Sequence, residues 1–151
     1  MARDTDIRPE FVEFVPDTLE QGVLYISCQN LAMIHLCCCG CGNQVVTPLS
    51  PTGWELRYDG RGVTLYPSIG NWKLRCQSHY WIRNNKVRWA GRLSKAEIAD
   101  HYASNARLRE RYFRGDFDPD RHRDWDSLEE DMQPRRNGEQ GLWKRLKRWM
   151  T

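Results

Sequence analysis

The sequence lacks a long apolar run, a strong charge imbalance and an internal repeat, and each absence removes a class of protein. The N-terminal stretch MARDTDIRPEFVEF has no apolar segment of the kind a secretory signal needs, so the expectation is a cytoplasmic protein. No apolar run approaches the ~20 residues that cross a bilayer. The net charge of +3 is too small to argue for a nucleic-acid partner. Without a repeat there is no solenoid or propeller to build. What is left is a chain of 151 residues, 40% hydrophobic and 28% charged, sized for one core and an appendage.

Two residue types are plentiful. There are seven tryptophans and six cysteines, and four of the cysteines fall within the five residues from Cys37 to Cys41. In a reducing compartment such clustering favours metal ligands or reactive thiols over disulfides.

The first ninety or so residues read as mostly β. The run from Gly22 to Ser27 has strand length, and QVVTPLSP ends in prolines that stop a strand. WELRYDGRGVTLYP reads as a hairpin turning at Asp59-Gly60, and YWIRNNKVRWA as a second one turning at Asn84-Asn85, with Trp81 and Trp89 placed symmetrically about the turn. The period then changes. Ser94 and Glu97 form a capping-box signature that opens a helix ending near Gly115, with Ile98, His101, Tyr102, Asn105, Leu108 and Tyr112 near one face. A charge-rich linker follows, and Leu142, Trp143, Leu146, Trp149 and Met150 share a helical stripe opposite four basic residues. The expected organisation is therefore α+β and mostly β. It comprises a zinc-braced β-rich core over 1–93, a packed helix over 94–115, a charged linker over 116–140 and a basic amphipathic tail helix over 141–151. The tail suits packing on its own domain, a partner or, less readily, a membrane surface.

Cys37, Cys39 and Cys41 alternate, so in extended backbone their sulfurs point to one side. Gly40 and Gly42 let the chain curl, and Cys76, in Cys76-Gln77-Ser78-His79, is the distant cysteine suited to complete a tetrahedral zinc site. Cys38 competes, because Cys38 and Cys41 have the spacing of a zinc knuckle. Cys28 reads as a buried core thiol. A Zn2+ held by four thiolates has no open position and is structural.

The non-cysteine residues around this cluster then hold the interest. Ser68, in the tight loop PSIGNW, comes with Gly70 and Asn71 as candidate oxyanion donors, and His35 and His79 are candidate bases. Ser78 and His79 are adjacent and would point to opposite faces of a strand, so Ser68 pairs better with either histidine. No carboxylate stands out to orient the base. If a histidine replaces one thiolate and a position opens to water, the same residues make a metallohydrolase instead. Trp54, Trp72, Trp81 and Trp89 could line a groove for an extended peptide or simply fill the core.

Three stretches, HLCCCGCGNQVVTPLSPTGWELRYDG, VTLYPSIGNW and CQSHYWIRNNKVRW, resemble a bacterial family long without a function, the BubE-like family. Its genes often lie beside those for ubiquitin-like modifiers and their E1- and E2-like enzymes. The resemblance covers about Val23 to Ala90. It falls on His35, Cys37, Cys39, Cys41, Ser68, Cys76, Ser78 and His79, and the family's variable residue at position 38 argues against Cys38 as a ligand. It implies a serine-type peptidase that trims or removes a ubiquitin-like protein. The partners implied are that protein or its conjugates and the E1- or E2-like enzymes. A non-catalytic zinc-binding adaptor and a nucleic-acid-binding zinc module are the rival readings.

Overall fold

The computed structural model describes residues 2–118. Nine strands and one helix occur among them: β1 (Arg8–Phe11), β2 (Val23–Ser27), β3 (Ala32–Leu36), β4 (Gln44–Pro48), β5 (Glu55–Tyr58), β6 (Val63–Tyr66), β7 (Ile69–Gly70), β8 (His79–Arg83), β9 (Lys86–Trp89) and α1 (Lys95–Arg114). The described residues are mostly β with one helix, the β-rich core and first helix that the patterning indicates.

Strands β1 to β4 form one sheet in chain order, with β1 parallel to β2 and the other pairs antiparallel. Every residue of β2 is buried, as suits a central strand covered on both faces. β3 and β4 alternate instead: Met33, His35, Val45 and Thr47 point inward and Val46 outward. The hairpin β5–β6 and the sheet β7–β8–β9 supply the opposing side. Leu24, Ile26, Met33 and Val45 meet Val63, Leu65, Ile69, Tyr80, Ile82 and Val87 in one core. The N-terminal segment stitches the sheets together. Val87 N–H donates to Thr5 O, and Ile7 N–H donates to Asn85 O before β1 turns to β2.

The β8–β9 turn uses Asn84 and Asn85 at φ 44° and 64°, the left-handed pair of a two-residue hairpin turn. Its register corrects one expectation. Trp89 faces Tyr80, and Trp81 faces Arg88, so the two tryptophans lie on opposite faces of the sheet. Cys28 is a second correction: β2 ends at Ser27, and Cys28 stands exposed in the following turn. Ser27 is the buried member there, its hydroxyl donating to Glu13 O.

The β6–β7 connection positions the site. Pro67 has no N–H to give to a ladder, so the strand running beside β8 breaks between Tyr66 and Ile69. Ile69 faces Tyr80 and Gly70 faces His79. Extended backward, that register sets Ser68 opposite Trp81 and diagonal to His79, on the same face. Asn84 N–H donates to Thr64 Oγ1, and Asn85 N–H donates to Val63 O, so β6 still follows β8 beyond the break.

Helix α1 has the full capping box: Glu97 N–H donates to Ser94 Oγ and Ser94 N–H donates to Glu97 Oε2. Gly115, at φ 79°, ends it. The helix is less embedded than a packed helix would be. None of its residues is fully buried. Ile98, His101, Asn105 and Leu108 form a half-buried stripe, while Tyr102 and Tyr112 are exposed. Tyr102 directly follows His101, about 100° further round the helix, and so falls outside the covered stripe. Apart from residues 116–118, the expected charged linker and the tail helix over 141–151 lie outside the described residues. No helix among the described residues is long and apolar enough to cross a membrane.

Candidate active site and metal centre

Four sulfurs converge where the β3–β4 loop meets the segment before β8. The Sγ atoms of Cys37, Cys39, Cys41 and Cys76 lie within 4.8 Å of one another. Cys37 Sγ is 3.4 Å from Cys39 Sγ and 4.0 Å from Cys76 Sγ. A tetrahedral zinc with bonds of ~2.3 Å holds its sulfurs about 3.8 Å apart, so this donor set fits a four-thiolate metal site. The segment is not extended as expected: after β3 the chain turns at Cys38 and Cys39, with Gly40 N–H donating to Cys37 O, and Cys38 is buried outside the sulfur cluster. Its surroundings hold its thiol protonated, burial pushing the pKa up to about 12.

Polar groups aim at the sulfurs. Asn43 Nδ2 donates to Cys41 Sγ at 3.1 Å. Burial opposes ionisation of Cys41, but hydrogen bonds from the Asn43 amide and side chain, together with those of Cys39 and Cys76, outweigh it and bring the thiol down to about 7. Ser78 Oγ lies 3.0 Å from Cys37 Sγ and 3.5 Å from Cys76 Sγ. Asn71 Nδ2 donates to Ser78 Oγ at 2.9 Å and approaches Cys37 Sγ at 3.6 Å. With a metal holding the cysteines as thiolates, the sulfurs could only accept, and Ser78, which accepts from Asn71, would give its proton to the Cys37 sulfur. Ser78 and Asn71 thus solvate the thiolates, the arrangement that orients metal ligands. Asn71 is accordingly turned away from Ser68. Backbone bonds tie the same loop to β8, with Asn71 N–H donating to Ser78 O.

His35 is fully buried beneath this network. Its Nε2 is 2.8 Å from Tyr80 Oη, and its Nδ1 is buried without a partner. Burial lowers its pKa to about 4, so it is neutral. It is held as a core histidine, and neither serine hydroxyl pairs with it.

His79 is different. Its Nε2 lies 2.9 Å from Ser68 Oγ, and its Nδ1 lies 3.3 Å from Gly91 O. Gly91 O can only accept, so Nδ1 carries the hydrogen and Nε2 is free to accept from the Ser68 hydroxyl. Burial holds the His79 pKa below the ordinary imidazole value; Gly91 O opposes this, and His101 of α1 acts in the same direction as burial. A neutral imidazole aligned on a hydroxyl is the pair that activates a serine nucleophile. The partner of the other ring nitrogen is a backbone carbonyl and not the carboxylate found in a Ser-His-Asp triad.

Two tryptophans enclose the imidazole. Trp72 meets it edge-on with centroids 4.8 Å apart, and Trp81 lies tilted at 5.5 Å. The Trp72 ring also covers Gly70, where a Cβ would come within 2.3 Å of it. Trp72 Nε1 is buried without a partner. Trp54 and Trp89 take no part. Trp54 packs against the core, and Trp89 lies against Tyr80 on the far face of the hairpin with the Arg3 guanidinium over its ring. The peptide groove expected from four tryptophans therefore reduces to two.

Of the residues singled out in the sequence, the structure joins Ser68 to His79, and joins Ser78 and Asn71 to the cysteines. The role of Gly91 O was not foreseeable, since a carbonyl carries no residue-type signal. A family profile described as bacterial ubiquitination-like system serine protease (BubE) matches residues 11–90, just over half of the chain. No curated protein and no solved structure matches the chain.

Proposed function

We propose that this chain, which belongs to the bacterial ubiquitination-like system serine protease (BubE) family, is a serine peptidase with Ser68 as nucleophile and His79 as general base. The observation that carries this reading is the 2.9 Å pair between Ser68 Oγ and His79 Nε2. Ser68 attacks the scissile carbonyl, and its proton passes to His79 Nε2. His79 then returns that proton to the departing amine, and water hydrolyses the acyl-enzyme by the same route in reverse. Gly91 O holds the required tautomer throughout. Trp72 and Trp81 exclude water from the imidazole and fix its ring. In the family's setting, the substrate is a ubiquitin-like protein or its conjugates, met in the cytoplasm, with E1- or E2-like enzymes as further partners.

Cys37, Cys39, Cys41 and Cys76 would hold the metal, which we take to be zinc. With four thiolates it has no open position and supplies bracing only. That count favours a serine peptidase over a metallohydrolase at this site. The brace ties the β3–β4 loop to Cys76, three residues before His79, and so keeps β8 in register with Ser68.

The test is cleavage of a ubiquitin-like protein carrying a C-terminal extension. The wild type cleaves it; Ser68→Ala and His79→Ala do not, although both still bind metal. Binding without cleavage by the wild type would leave the adaptor reading instead.

A further inference from the structure

From Gly60 to Ala96 the sequence contains no aspartate or glutamate and eight lysines or arginines, in a chain whose overall charge is only +3. This acid-free stretch includes both Ser68 and His79, and the fold sets Arg88 opposite Trp81 and Arg92 next to the Gly91 that His79 contacts. Arg88 faces Trp81 across the β8–β9 ladder, so it shares the face that presents Trp81 and His79. Arg92 directly follows Gly91, whose carbonyl orients His79. Lys73 and Arg75 lie in the loop between Trp72 and Cys76. All four are exposed, and none forms an ion pair among the described residues. By contrast Lys86, further along the hairpin, is neutralised by Asp6.

We infer that the face around Ser68 and His79 docks an acidic polypeptide, and that Arg75, Arg88 and Arg92 select substrates with aspartate or glutamate flanking the scissile bond. The inference rests on the hydrolase reading above for its substrate and on the charge distribution for its chemistry. Exposed cations without ion-pair partners among the described residues, drawn from a stretch of sequence without carboxylates, attract an acidic chain and repel a basic one. A nucleic acid would meet the same cations, and the competition below distinguishes it from an acidic polypeptide.

The experiment uses the full chain and two quenched-fluorescent peptide libraries, identical except that the flanking positions carry Asp/Glu in one and Lys/Arg in the other. p-Nitrophenyl acetate serves as a neutral reference ester. The expected result is acidic-library turnover at least ~10-fold above basic-library turnover at low salt, narrowing as ionic strength reaches 0.15 M. In Arg88→Glu and Arg75→Glu the ratio of acidic-library to ester turnover falls about tenfold. Equal turnover of the two libraries by a protein that hydrolyses the ester through Ser68 overturns the inference. If the ester is not hydrolysed, the hydrolase reading fails, and fluorescence anisotropy of the acidic peptides on Ser68→Ala decides the docking question separately. Salt-sensitive binding there supports the acidic partner. No binding, or displacement by a single-stranded oligonucleotide at lower concentration than by acidic peptide, overturns it.

Discussion

Ser78 Oγ lies 3.0 Å from Cys37 Sγ, and that contact decides which of two neighbouring serines is available for chemistry. Ser78 and His79 are adjacent, but strand alternation sends one to the sulfurs and the other to Ser68. In the proposed reading Ser78 orients the metal ligands, and Ser68, facing the imidazole, is the nucleophile.

The two serines should therefore separate by experiment. Ser68→Ala should lower hydrolysis by at least about 10⁴-fold with metal content unchanged. Ser78→Ala should weaken metal binding by about 10- to 100-fold, read by competition with a chromogenic chelator. The reverse pattern would exchange their roles.

Metal content should follow the sulfur geometry. One ion per chain is expected under reducing conditions, and serine substitution of Cys37, Cys39, Cys41 or Cys76 should each abolish it. Cys38→Ser should keep the ion and lose stability instead, because it buries a hydroxyl where the core holds a thiol. Elemental analysis beside thermal unfolding separates the two effects. Stripping the metal should also loosen the pairing of β7 with β8, seen as faster amide exchange at Ile69 and Tyr80.

The two hairpins, the helix cap and the cysteine set were legible in the sequence because each depends on local chemistry. Asn-Asn turns a hairpin, Ser94 and Glu97 cap a helix, and the clustered cysteines gather because Gly40 and Gly42, at φ 80° and 77°, curl the chain rather than because it is extended. What escaped depended on distant contacts. Cys28 lies beyond the end of a buried strand, and nothing in GVLYIS marks where that strand stops. The parallel pairing of β1 with β2 joins residues separated by a loop with no strand signal. Asn71 looked like an oxyanion donor in its loop, yet the fold points it at Ser78.

Activity should rise with pH as His79 loses its proton. Burial lowers the His79 pKa, so the neutral base is present at lower pH than for a free imidazole. The half-point of kcat/KM should fall below ~6.5. Trp81→Ala exposes the ring and should move that half-point upward, whereas Trp81→Phe should leave it close to the wild-type position.

Gly70→Ala should disturb catalysis through Trp72. A methyl group there meets the indole at 2.3 Å, so the ring must shift and release its edge contact with His79. A fall in kcat with little change in KM is expected, and Gly70→Ala combined with Trp72→Ala should lose less than the sum of the two single changes.

The central claim is that Ser68 is the nucleophile activated by His79, and covalent labelling reads it most directly. A fluorophosphonate probe, followed by peptide mass spectrometry, should place one adduct on Ser68 in the wild type and none in His79→Ala. An adduct on Ser78, or labelling of Ser68 that persists undiminished in His79→Ala, would contradict the account.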